Sequence, residues 1–197
     1  MYTTETDIKL VKADLFRVIS KGFSYPEENN IAEIREIVFE LSKRTELNIE
    51  YKKLLLEILK NANYKTLLSE YSRLFLKGTV PVSESTCLSK LNSVTDVAAF
   101  YKAFGMTAKS GESPDAITYQ LEFLSLLLVK MSIAKNKEQL EITKDAYVKF
   151  INDHLLEFSG KFSENLSQTN PNDFYSELSS LLVKLIHEES EFYAVKN

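Results

Sequence analysis

Apolar residues in this chain recur three and four positions apart along almost its whole length. Ile8, Val11, Leu15 and Ile19 open the pattern behind Thr6-Asp7, a pair suited to cap a helix N-terminus. Ile31, Ile34, Ile37, Val38 and Leu41 mark a second run, and Leu54, Leu55, Ile58 and Leu59 a third. A fourth carries Tyr64, Leu67, Leu68, Tyr71, Leu74 and Phe75. This is the period of amphipathic helices. None of the runs alternates as a half-buried strand would. Five Gly and four Pro among 197 residues are also too few for the many tight turns of a sandwich or barrel.

The breaks in the pattern are as informative as the pattern. Gly22 and Pro26 close the first helix. From Lys77 to Ser93 the period lapses into Gly78, Pro81 and several Ser and Thr, an irregular stretch of the length that compact domains keep for function or mobility. Val94, Val97, Phe100, Tyr101 and Phe104 restore a helix that Gly105 ends as a C′ glycine. After a second polar loop, Thr107 to Glu112, the order Ser113-Pro114-Asp115 predicts a helix start with Asp115 in the first turn, near the positive end of the dipole. That helix runs on through Ile117, Leu121, Leu124, Leu128 and Met131. A long helical stretch follows from Glu138 to Phe162, and Pro171 opens a last helix with Phe174, Leu178, Leu182 and Ile186. No repeat and no linker divides the chain. The expected fold is all-α, a single domain over residues 1–197 built as a bundle of about eight helices.

Composition narrows the chemistry. Basic residues number 24 against 28 acidic, a net charge of -4, which argues against non-specific nucleic-acid binding. The single cysteine, Cys87, excludes an internal disulfide and a Cys-only zinc site. The start, Met1 to Asp7, has no basic region leading into an apolar stretch, and the most apolar run, Leu124 to Val129, is far short of the ~20 residues of a membrane span. A soluble, cytoplasmic chain without membrane insertion is expected. Two histidines, His154 and His187, lack the Glu three residues earlier that a di-iron bundle requires, and His187-Glu188-Glu189 lacks the second His of a zinc-protease helix. No phosphate-cradling glycine loop and no nucleophile elbow occurs. The residues point to a binding protein, not an enzyme, with no metal and no cofactor.

Five segments, in order, resemble the TorD/DmsD/NarJ-type family of cytoplasmic chaperones for molybdenum redox enzymes. They are Glu70-Tyr71-Ser72-Arg73-Leu74-Phe75, Pro81-Val82-Ser83-Glu84-Ser85, Val97 with Tyr101-Lys102-Ala103-Phe104-Gly105, Pro114 to Leu124, and Phe150-Ile151-Asn152-Asp153-His154-Leu155 with Phe158 and Phe162. They span Glu70 to Phe162, about half the chain. Ala116 stands where the family usually has His, Gln120 where Glu is common, and Phe158 where Trp is common.

The resemblance implies a chaperone that binds the twin-arginine signal peptide, and with it the apo-form, of a molybdopterin-dependent oxidoreductase subunit until cofactor insertion and assembly are complete. Such a peptide offers a basic end and an apolar stretch, so its receptor needs an apolar groove flanked by carboxylates. On this reading Leu74, Phe75, Pro81, Tyr101 and Phe104 are the apolar lining. Glu84, Ser85, Asp115, Glu122 and His154 are the polar contacts, with Asp115 and Glu84 facing arginines. The same aromatic residues also fit plain core packing, and His154 fits a core histidine. The departure at Ala116 bears on the client rather than the fold. The family implies a monomer or a homodimer. The alternative is a helical ligand-binding or dimerisation domain of a regulator, for which the N-terminal helices carry no basic recognition stretch.

Overall fold

The computed structural model describes residues 4–195, and its regular structure is helical throughout. The elements are α1 (Glu5–Phe23), α2 (Glu28–Ser42), α3 (Ile49–Asn61), α4 (Tyr64–Tyr71), α5 (Glu84–Leu88), α6 (Ser93–Phe104), α7 (Ile117–Ser132), α8 (Lys137–Phe150), α9 (Leu156–Ser167) and α10 (Asp173–Ala194). A π-helical turn, Ser72–Leu76, prolongs α4, and a second, Ile151–Leu155, joins α8 to α9 in one continuous rod. The bundle that helical periodicity predicts is therefore present, with one rod more than expected. The addition is α5, inside the segment 77–93 whose short apolar content gave no period to read.

α1 is the axis of the molecule, packing against α7, α2 and α10. Its N-terminus is closed by a capping box in which Thr4 Oγ1 accepts from Asp7 N (3.1 Å) and the Asp7 carboxylate accepts from Thr4 N (3.0 Å). The cap is thus Thr4, not the Thr6-Asp7 pair, which lies inside the first turn. The helix buries Val11, Leu15, Phe16, Val18, Ile19 and Phe23. Gly22 lets α10 approach: a Cβ there would lie 2.5 Å from Leu178 Cδ2. α10 also packs on α3 and α9, and α7 on α8.

Two further boundaries differ from the sequence expectation. α7 begins at Ile117 behind Ala116, so Asp115 precedes the helix instead of occupying its first turn. α10 begins at Asp173 with Asn172 as its cap, accepting from Tyr175 N (3.2 Å), and Pro171 lies outside it. Gly105 ends α6 in the left-handed region (φ 77°), as a C′ glycine should.

The buried apolar residues form one cluster with two aromatic centres. In the first, Phe23 meets Phe162, Tyr175 and Phe75 at centroid distances of 5.0, 6.2 and 6.3 Å. In the second, Phe123 meets Phe150 and Tyr101 at 4.8 and 4.9 Å. Each such ring contributes about 1.5–3 kcal/mol by leaving water.

Candidate functional site

The irregular segments 77–83 and 105–116 are tied together by a short antiparallel bridge between Ser83 and Ala116. Ile117 N donates to Val82 O (2.8 Å) and Glu84 N to Asp115 O (3.0 Å). These bonds seat α5 against the start of α7, and beneath them lies a buried polar network.

Glu84 is its centre. The side chain is fully buried, and its carboxylate accepts from Lys90 Nζ (2.8 Å), Gln120 Nε2 (3.0 Å) and His154 Nδ1 (3.0 Å). Lys90 Nζ reaches on to Asp153 O (2.6 Å). Burial pushes the Glu84 carboxyl up, but the hydrogen bonds from His154 and Lys90 outweigh it and hold the group below the ordinary glutamate value. Asp115, also fully buried, accepts from Ser85 N (2.7 Å) and Ser93 Oγ (3.4 Å), and Ser113 Oγ donates to its other oxygen. Asp115 therefore caps α5, a helix thirty residues away, and not its own. Tyr101 is buried beside it and donates its hydroxyl to Pro114 O (2.9 Å).

The structure thus brings Glu84, Ser85, Tyr101, Asp115 and His154 together, but as a buried network. Glu84 and Asp115 do not present carboxylates to a surface in this conformation. Leu74 is fully buried, and Phe75 lies within the first aromatic centre, 5.0 Å from Tyr71 and 5.4 Å from Tyr175. Phe104 is half-buried on Phe123 (5.9 Å), and Pro81 is half-buried beside the bridge.

An open groove runs beside the bridge and encloses about 520 Å³. Tyr25, Tyr71 and Tyr119 give it aromatic walls, and Leu76, Val82 and Ala116 add apolar surface. Three carboxylates, Glu27, Glu112 and Glu122, stand around it with two lysines, Lys21 and Lys109. Lys21 is committed to Glu33 (2.7 Å). The Lys109 backbone N–H donates to Tyr119 Oη (3.3 Å), fastening the 105–116 loop to the groove wall. Desolvation by the groove raises the Glu122 carboxyl above its ordinary value, with Lys21 and Lys109 acting against it and Glu112 adding to it. A cation delivered there would meet a carboxylate short of countercharge.

Of the ten residues singled out in sequence, only Glu122 lines this groove. Ala116, noted there as a departure, lines it too, and Tyr71 belongs to one of the quoted segments. Tyr25 and Glu27 carry no motif. They sit in the short connection between α1 and α2, and only the tertiary fold brings them to α7.

A family model described as the nitrate reductase delta subunit matches residues 30–164. The chain belongs to this family. The match contains every residue of the buried network and reaches back into α2, ahead of the segments that carried the resemblance. Over 87 residues the chain is 29% identical to a chaperone protein TorD of Aliivibrio fischeri (strain ATCC 700601 / ES114), a segment covering 44% of this chain and 40% of that relative's length. A crystal structure described as that of a redox enzyme maturation protein from Archaeoglobus fulgidus aligns over 71% of this chain and 93% of that one, with 20% identity and a TM-score of 0.45. Among the described residues no helix is long and apolar enough to cross a membrane, and no group of three or more His, Cys, Asp or Glu is placed to hold a metal ion.

Proposed function

We propose that this family member is a cytoplasmic maturation chaperone whose groove holds the twin-arginine leader of a molybdopterin-dependent oxidoreductase subunit. Holding the leader would delay export while the apo-form acquires its cofactor and partners. The observation that carries this reading is the groove's composition: aromatic and aliphatic walls for an apolar stretch, and Glu27, Glu112 and Glu122 for a basic end. The role is binding, not turnover.

Calorimetry with leader peptides from molybdopterin oxidoreductases of the same genome tests it. An Arg-Arg leader should bind, and Glu122→Gln should weaken it by about 1 kcal/mol, the scale of a partly exposed ion pair. A Gln-Gln leader should be insensitive to that substitution, so the double-mutant cycle isolates the charge contact. No heat with any such leader would overturn the proposal.

A further inference from the structure

The end of the bundle away from the groove holds a cavity of about 360 Å³, a volume in the range of small-molecule sites. It opens between the first turns of α1, the last turns of α7 and α10, and α8. Ile8, Leu128, Met131, Leu140, Phe192 and Tyr193 give it an apolar lining. Leu128 and Met131 are buried, whereas Ile8 and Phe192 remain 40% and 44% exposed, so a ligand chain would cover apolar surface that the fold leaves in water. Three lysines complete the wall, each with most of its side chain out of solvent: Lys9, Lys12 and Lys144. Lys12 is committed inward. It pairs with the buried Glu189, which also accepts from Tyr147 Oη (2.8 Å), and its ammonium stands 4.9 Å from the Phe192 ring centroid. Lys9 pairs with Glu5 one turn earlier (2.7 Å), while Lys144 reaches Glu141 only at 3.6 Å and makes no hydrogen bond among the described residues. In both pairs the carboxylate is the more exposed partner, 83% against 14% for Glu5 and Lys9 and 46% against 35% for Glu141 and Lys144. The charge nearer the apolar lining is therefore the lysine's.

We propose that this cavity binds an amphiphilic monocarboxylate: an aliphatic chain of medium length on the apolar lining, with its head group taken by Lys144 and Lys9. A carboxylate accepts from the ammonium donors that Lys144 leaves unused and displaces only exposed ion pairs, which are worth little. A cationic head group finds no such opening, because the buried carboxylate beside the cavity, Glu189, is already satisfied by Lys12 and Tyr147. The chain supplies affinity in proportion to the apolar surface it covers, and the head group fixes its direction. The site stands apart from the leader groove. α1 and α7 line both, but with opposite ends, and no residue is shared.

Methionine methyl ¹³C resonances of the full chain test it, with Met131 in the cavity lining and Met106, outside it, as the reference. Octanoate below its micellar concentration is the probe. Octanol carries the chain without the charge, acetate the charge without the chain, and octylammonium the opposite charge. Octanoate should shift Met131 saturably and leave Met106 in place. Octanol should bind at least about tenfold more weakly, octylammonium no better than octanol, and acetate should not move Met131. Lys9→Gln combined with Lys144→Gln should bring octanoate down to the level of octanol, while octanol binding and the melting temperature stay nearly unchanged. Glu141→Gln, which releases Lys144, should tighten octanoate. No saturable shift of Met131, equal affinity for octanoate and octanol, an octanoate response that survives the double lysine substitution, or shifts of Met106 in parallel with Met131 would overturn the proposal.

Discussion

Phe75 shows how one side chain decides between two roles that its sequence context leaves open. Its position at the end of a helix before a long loop suits a groove lining, yet the ring is only 8% exposed and packs within 5.0–6.4 Å of Tyr71, Tyr175, Phe23 and Phe162. Removing it leaves a cavity in an aromatic centre. Phe75→Ala should therefore cost about 3–5 kcal/mol in chemical denaturation. A loss below about 1 kcal/mol would show that the ring is not core. Gly22 makes a complementary prediction at the same scale. Its backbone conformation suits any residue, but the added methyl of Gly22→Ala would push on Leu178 across the α1–α10 contact. Overpacking of this kind typically costs about 1–3 kcal/mol, and Leu178→Ala in the same chain should recover part of it.

At the scale of an element, α5 is the piece that depends most on its surroundings. Five residues are too few to sustain a helix alone. Asp115 receives its second backbone N–H and Glu84 anchors its first residue to α7 and the π turn. Asp115→Asn keeps one acceptor oxygen but places an amide among donors in a buried site. The expected loss is about 1–3 kcal/mol, more than a simple helix cap would show, with faster amide exchange confined to 84–90 as its local signature. Glu84 adds a pH dependence. Its folded value lies below the ordinary 4.5, so the stabilisation is complete above that pH and is lost as pH falls through the folded value. Melting temperatures as pH falls below 4.5 should drop less steeply in Glu84→Gln than in the parent, although the variant starts lower. The same element explains what was legible in the sequence. Long helices announce themselves through Ile8 to Ile19 or Phe174 to Ile186, where many periodic contacts agree. α5 has too few residues for a period and owes its existence to a carboxylate supplied from Asp115. The identities of Glu84, Asp115 and His154 stood out, but whether they faced solvent or one another depended on the bridge between Ser83 and Ala116. The groove's Tyr25 and Glu27 were invisible for the same reason: nothing local marks a residue whose neighbours lie on α7.

Considered whole, the molecule ties the largely exposed segments 77–83 and 105–116 to each other through the Ser83–Ala116 bridge and to its helices through the buried Val80 and Asp115. The groove wall draws on α1, the α1–α2 connection, α4, the 77–83 strip and α7, while α10 backs α1 from the other side through Gly22 and Leu178. One cooperative unfolding transition should follow, with near-ultraviolet tyrosine signals and far-ultraviolet helicity melting together. Separate transitions would mean that the helices outlast the groove. The α1–α10 contact also has a consequence for timing during synthesis. Every groove residue has been polymerised by Glu122, but the helix that braces α1 ends some tens of residues later. At about 5–20 residues per second the ribosome needs several seconds to supply it. During that interval the nascent chain carries every groove residue without the helix that braces α1, so the scaffold of the groove is completed only after α10 has been made.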